Sequence, residues 1–210
     1  GVSAFENSAV TAITIPENVT NISSAAFKNA AKLAKITFTE GLTYISAGAF
    51  EGCASLTAIE LPATMETIAN GAFRNAGLKS VKTGDGLAKI SAEAFAGNKA
   101  LATVVLGKNV EKLGVGAFKD CVALAKLELP ASLNNFSAAS FEGCTALEEF
   151  EYPESVTAVP EKCFAGATAL KEIEDHKNLK NVAVDAFKDT AWENAQPDGA
   201  LSFGRVTYGV

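Results

Sequence analysis

One histidine, one methionine, one tryptophan and four cysteines are all that 210 residues offer to several kinds of chemistry. The histidine, His176 in "EDHKNL", stands where other segments place proline, and a lone histidine on such a turn reads as a solvated loop residue. No pair of Cys or His shows zinc spacing, no serine lies in a nucleophile-elbow motif, and no glycine-rich phosphate loop appears. The sequence thus points to no catalytic residue, metal or cofactor, and enzyme is the weaker class. No apolar run approaches the roughly 18 residues that a spanning helix needs, so no membrane insertion is expected. An export signal is missing too, but the opening Gly1-Val2-Ser3 reads as a cut end, which leaves the location of the parent protein open.

Basic charge is also scarce where it would matter. The formal net charge is -6, and the first 105 residues hold eight acidic and eight basic side chains against sixteen and ten in the last 105. All the excess lies in the second half. Without a basic stripe interleaved with aromatics, such a surface repels phosphate backbones, which excludes nucleic acid as a partner. What remains, 48% hydrophobic and 20% charged residues, is the composition of a folded protein.

What is present is a period. The stretch "AFEGCASLTAIELPATMETIANGAF" opens and closes on Ala-Phe, and the phenylalanine returns as Phe5, Phe27, Phe50, Phe73, Phe95, Phe118, Phe141, Phe164 and Phe187, at intervals of 22 or 23 residues. Leucines from Leu33 to Leu170 follow it, then a column Ile36, Ile59, Val81, Val104, Leu127, Phe150, Ile173. Two residues further stand Phe38, Leu61, Leu106, Leu129 and Tyr152, often with proline next. The pattern is L-x-x-I-x-L-P-x-x-V-x-x-I-x-x-x-A-F-x-x-C-x-x.

Alternation in the I-x-L part predicts a short, half-buried strand. Stacking one repeat on the next pairs these strands about 4.7–4.9 Å apart, so a continuous parallel sheet is expected, with each apolar column a ladder through the core. Proline ends the strand because it has no N–H to donate. Ser23, Ser46, Ser91 and Ser137 precede Ala-Phe where a hydroxyl could cap a short helical turn. Residues 1–189 therefore read as a solenoid of about eight coils, and residues 190–210 as a separate ending. There "PDG" signals a turn, and Leu201, Phe203, Val206 and Tyr208 alternate around Gly204-Arg205 as in a hairpin. An open solenoid end exposes core and strand edge, so this segment, with Trp192 over the last coil, reads as a cap, or else as a stub leading to another domain.

Cys53, Cys121 and Cys144 share one column, and Cys163 lies outside it. Neighbouring coils bring Cys121 and Cys144 near enough for a disulfide, yet equivalent side chains point the same way rather than converging, which favours buried free thiols. Asn18, Asn21 and Asn135 open Asn-x-Ser/Thr acceptors, relevant only in a eukaryotic secretory route.

The combination of proline, "AF" and a cysteine three residues on, in "AFEGCASLTAIELP" and "AFKDCVALAKLELP", resembles the BspA-type leucine-rich repeats of surface proteins in host-associated bacteria and some protozoan parasites. Departures are mild: other residues hold the cysteine column in six coils, and Ser140 and Cys163 replace the alanine. The resemblance implies a right-handed solenoid, export, and adhesion or recognition at the cell surface.

Function then falls to residues the repeat leaves free. Strand positions flanking the buried Ile face outward on what stacking would curve into a concave wall. One such column runs from Ala12 through Lys126 to Glu149 and Glu172; the other from Thr14 through Lys82, Val105 and Glu128 to Glu151 and Glu174. Five carboxylates, Glu128, Glu149, Glu151, Glu172 and Glu174, crowd within three coils, with Lys126, Val105 and Lys82 beside them. Like charges opposed on neighbouring strands are unfavourable, and the fold does not require them. The face suits either solubility or a binding surface for a basic partner or a cation. Glycosidase-like work by the paired carboxylates would need desolvation that an open wall lacks. The expected protein is a monomeric, non-enzymatic adhesion module of a secreted or surface protein, taking a protein or glycan ligand of the host matrix or cell surface. A structural spacer that presents another domain is the alternative.

Overall fold

The computed structural model describes residues 1–174 and 178–196, together with the strand backbones 201–203 and 206–208. His176 and Asp175 lie outside the described residues, as does the Gly204-Arg205 turn. The chain winds into stacked parallel coils, and the phenylalanine column is their spine. Rings from Phe5 to Phe187 stack face to face at 5.0–5.9 Å with interplanar angles of 10° or less. Rings from Phe50 to Phe187 are completely buried, flanked by the leucine columns. A single coil could not exclude water from either column; each acquires its core only from its neighbours.

Two walls of strands run along the stack instead of the one sheet expected. The I-x-L segments form three-residue strands, Ala12–Thr14 with Lys35–Thr37, Ala58–Glu60 with Ser80–Lys82 and Thr103–Val105, and Glu149–Glu151 with Glu172–Glu174. The V-x-x-I segments form a second, six-stranded parallel sheet from Asn21–Ile22 to Asn135–Phe136, continued by the pair Ala158–Val159 and Asn181–Val182. The first wall is therefore discontinuous. It breaks after Thr37, and again at residues 126–128, which join no strand.

Each break falls beside an aromatic residue in a column that holds aliphatic residues or Thr83 elsewhere. Phe38 packs edge-on to Phe50, and Phe150 and Tyr152 pack edge-on to Phe164. The widest interval in the ring stack, 5.9 Å, lies between Phe118 and Phe141, in the coil that carries the second break. At the first break the ring interval from Phe27 to Phe50 is only 5.1 Å, so wider spacing of the coils accompanies the second break alone.

Of the turns or short helical turns expected opposite the strands, the Ala-Phe segments are turns; Ala191–Asn194 is the one α-helix among the described residues. Left-handed backbone explains this. Two residues before each phenylalanine φ is positive, as at Ala25 (53°), Glu93 (54°) and Lys162 (55°), and two residues after it φ is positive again, as at Asn29 (56°) and Asp120 (58°). A helix cannot pass through such residues. Alternate N–H groups instead leave the coil: Ala25, Phe27 and Asn29 donate to the carbonyls of Ala47, Ala49 and Glu51, while Ala26, Lys28 and Ala30 close turns within their own coil. Ser46 accordingly caps nothing and bonds the Asn21 side chain. At Gly97 and Gly143 a Cβ would come within 2.0 and 2.4 Å of the Asn75 and Asp120 side-chain oxygens, so a larger residue there would have to displace the ends of those side chains.

All four cysteines are free and buried. The three in register have a shared role: Cys53, Cys121 and Cys144 donate their thiols to the carbonyls of Phe27, Phe95 and Phe118 in the preceding coil, at 3.1–3.3 Å. At the far end, Trp192 lies against Phe187, with ring centroids 5.1 Å apart. The short helix is capped by Thr190, whose hydroxyl accepts the N–H of Glu193. Strands Leu201–Phe203 and Val206–Tyr208 pair antiparallel.

Candidate functional site

The exposed side of the three-residue strands gathers the acidic residues. Parallel register sets Glu149 directly beside Glu172 and Glu151 beside Glu174, with Phe150 and Ile173 turned inward between them. The preceding coil adds Lys126 and Glu128. Together they line an open depression of about 530 Å³ whose floor includes Leu127, Leu129, Phe150 and Tyr152. Six of the eight residues that the sequence nominates, Lys126, Glu128, Glu149, Glu151, Glu172 and Glu174, thus meet in one place.

The other two do not. Val105 is exposed and lines a smaller neighbouring hollow of about 300 Å³, into which Lys126 and Glu128 also reach. Lys82 is one strand further off, beside Val105 in register, and its ammonium is paired with Glu60.

Charge at the depression is only partly balanced. The Lys126 ammonium lies 2.7 Å from a Glu149 oxygen, and this hydrogen bond with its charge holds the Glu149 carboxyl below its ordinary range and raises Lys126. On the rim Lys171 pairs with Glu148 at 2.9 Å, which raises Lys171. Glu128, Glu151, Glu172 and Glu174 have no ion pair within 4 Å among the described residues. Two like-charged pairs in register are a cost of a few tenths to about 1 kcal/mol each in exposed sheets. No group of three or more His, Cys, Asp or Glu with metal-holding geometry occurs among the described residues.

The turn side carries a charge pattern that a search for acidic clusters passes over. Several residues directly after the phenylalanines alternate in sign, so Lys28 meets Glu51 at 3.0 Å, Arg74 meets Glu51 at 2.7 Å and Lys119 meets Glu142 at 2.9 Å; Arg74 also reaches Glu93, two residues before Phe95, at 2.7 Å. Partial burial alone would raise Glu51, but hydrogen bonds from Arg74 and Lys28 outweigh it and leave its carboxyl below the ordinary value. Here neighbouring coils neutralise one another. The same spacing of 22 or 23 residues that reveals the phenylalanines would have exposed this column.

Stacked short coils with parallel strands, a buried ladder of aliphatic and aromatic columns and an outward strand face define a leucine-rich repeat solenoid. The BspA type Leucine rich repeat region matches residues 1–122 and 88–197 in six copies, and the chain belongs to that family. Among solved structures it is similar to a leucine-rich repeat protein from Bacteroides ovatus (27% identity, TM-score 0.67, 89% of this chain and 56% of that one). A leucine-rich repeat protein from T. pallidum (24%, 0.71, 90% and 78%) and a leucine-rich cell surface protein from Faecalibacterium prausnitzii (23%, 0.57, 82% and 62%) share the fold. The chain spans just over half the length of the Bacteroides protein. Comparison with curated proteins finds no significant match.

Proposed function

We propose that this chain is a non-enzymatic binding module of a secreted or surface protein, and that it takes a basic protein or glycan partner on the exposed strand face at the 126–174 end. The observation that carries the reading is the register of Glu149 with Glu172 and Glu151 with Glu174 across a depression that, among the described residues, is lined by a single lysine. Solubility alone does not call for this: in the earlier coils Glu60 faces Lys82 at equivalent positions and the charges cancel. An uncompensated acidic hollow raises a local negative potential that speeds encounter with basic partners and selects against acidic ones. Half-buried Leu129 in its lining offers apolar packing to the methylene stem of an incoming lysine or arginine. The fold neighbour described as a cell surface protein supports placing the module outside the cell.

The test is a binding screen of the purified protein against host matrix proteins and glycans, followed by the triple reversal of Glu149, Glu151 and Glu172 to lysine. Binding is expected to weaken as salt shortens the Debye length from about 10 Å at 0.1 M to 3 Å at 1 M, and to vanish in the reversal. A ligand held equally well by the reversed protein removes the acidic hollow as the site.

A further inference from the structure

Successive coils are tied together along three lines: the three-residue strands, the two-residue strands and the turn ladder. Where the first wall breaks after Thr37, the second runs on, with Tyr44–Ile45 paired to Thr67–Ile68. Where it breaks after Val105, Lys112–Leu113 still pairs with Asn135–Phe136. The next interface, between residues 126–136 and 149–159, is different. Its first wall contributes a single backbone bond, from the Glu148 N–H to the Ala125 carbonyl at 3.3 Å, and in its second wall Asn135–Phe136 does not pair with Ala158–Val159. Among the described residues this is the one interface at which both walls lapse.

The lapse in the second wall is written in the sequence. That ladder is closed by the N–H four residues before each phenylalanine: Ser91, Gly114 and Ser137 donate to Ile68, Ile90 and Leu113, and Ala183 donates to Val159, at 2.8–3.0 Å. The residue in this column opposite Phe136 is Pro160, which has no N–H to give. The turn ladder is whole on both sides, since Phe118 donates to Ser140 and Phe141 to Cys163 at 2.9 Å each. The core is continuous as well: the Phe136 ring lies 6.2 Å from that of Phe150 and 6.0 Å from that of Tyr152. Apolar ring contacts are non-directional and tolerate a small tilt, whereas hydrogen bonds of a strand ladder weaken steeply off line.

We propose that this interface is a hinge, at which the coils ending in Asn135–Phe136 and those beginning with Glu149–Glu151 move as two bodies about the turn ladder, opening and closing the strand side. The acidic depression straddles it, with Lys126, Glu128 and Leu129 on one body and Glu149, Glu151 and Tyr152 on the other, so opening widens the depression. Across that side lie the Lys126–Glu149 ion pair at 2.7 Å and the Ser155 hydroxyl, which bonds the Ala131 and Leu133 carbonyls. These are individual side-chain contacts and not a ladder. Closure of this kind, with the motion absorbed at a few positions between rigid bodies, is a standard way of fitting a site to its occupant. The hinge itself does not depend on what the depression takes.

The experiment measures distances by pulsed electron spin resonance between nitroxide labels on two pairs of introduced cysteines in the full chain. Lys89→Cys with Asn181→Cys spans the interface, and Asn21→Cys with Lys112→Cys lies within the unbroken six-stranded sheet. Each pair is four strand spacings apart, about 19 Å. The native thiols are free but buried, so labelling of the folded protein is directed to the introduced residues. The spanning pair should give the broader distance distribution. Pro160→Ser, which puts in this column the residue it holds at Ser91 and Ser137, should narrow that distribution to the width of the other pair. Equal widths for the two pairs in the parent protein, or a spanning width that Pro160→Ser leaves unchanged, overturns the inference.

Discussion

The side-chain oxygen of Asn98 accepts the backbone N–H of Leu78, one coil earlier, at 3.0 Å. In 23-residue coils the corresponding leucine N–H closes a turn on the residue three before it, as Leu56 does on Cys53 and Leu124 on Cys121. The interval from Phe73 to Phe95 is one residue short, so Leu78 loses that local acceptor. Asn98 supplies one from the next coil, while its amide nitrogen donates to the carbonyls of Phe73 and Phe95 at 2.8 and 2.7 Å. One buried amide repairs a deletion.

Replacing Asn98 by Ala strands the buried N–H of Leu78, while the Phe73 and Phe95 carbonyls keep the Ala76 N–H and the Cys121 thiol as donors, and should cost about 1–3 kcal/mol, the penalty of one unsatisfied buried group. Asn98→Cys should cost less, because a thiol in this column still reaches the preceding phenylalanine carbonyl, as Cys53 does. Urea denaturation of the three proteins checks the order. Equal stability of the Ala and Cys variants would refute the account.

The thiols should be inert in the folded protein. Burial pushes the Cys53 and Cys144 thiols up to about 12 and raises Cys121 and Cys163 as well, which leaves no thiolate to react near neutrality. A thiol reagent should titrate them only after denaturant is added, and mass spectrometry of non-reduced protein should show no Cys121–Cys144 bridge. The sign with pH follows: the folded value is raised, so the stabilisation is fully present below the unfolded value near 9 and is lost as pH rises toward 12. Each such thiol can contribute a loss of up to about 1.4 kcal/mol per pH unit in that window. Cys144→Ala should flatten the alkaline fall relative to the parent.

The ring column should be the main mechanical element of the core. Phe118→Ala removes a completely buried ring stacked between Phe95 and Phe141, and it should cost about 3–5 kcal/mol because flanking coils cannot collapse into the space. Lys119→Ala, next in sequence but on the surface, provides the comparison in thermal melts. A shift for Phe118→Ala no larger than for Lys119→Ala would overturn the packing argument.

The acidic face should be a weak point for stability and a strong one for salt response. Glu172→Gln removes one member of the Glu149–Glu172 pair and should leave the melting temperature unchanged or slightly raised, most visibly at low ionic strength. Lys126→Met removes the counter-charge at Glu149 and should shift it the other way. The difference between the two variants should close in high salt. Melts in which both variants move together would show that the carboxylates do not repel one another measurably.

How much of this was legible beforehand divides along a physical line. A period of 22 or 23 residues in the sequence determines which side chains share a column, because every coil meets its neighbour in nearly the same register; hence the phenylalanine spine, the leucine ladders, the three-residue strands and the company of Glu128, Glu149, Glu151, Glu172 and Glu174 could all be read from spacing. The tertiary structure alone decided the shape of each coil and what holds it to the next. Left-handed residues such as Ala25 and Lys162 carry no distinctive side chain, so turns could not be told from helical turns by residue type. The second sheet was hidden because its strands are two residues long, too short for alternation to register. The second break in the first sheet, the pairing of Lys82 with Glu60, and the repair of Leu78 by Asn98 depend on distances between coils, which are set by the volume of side chains packed from several repeats at once.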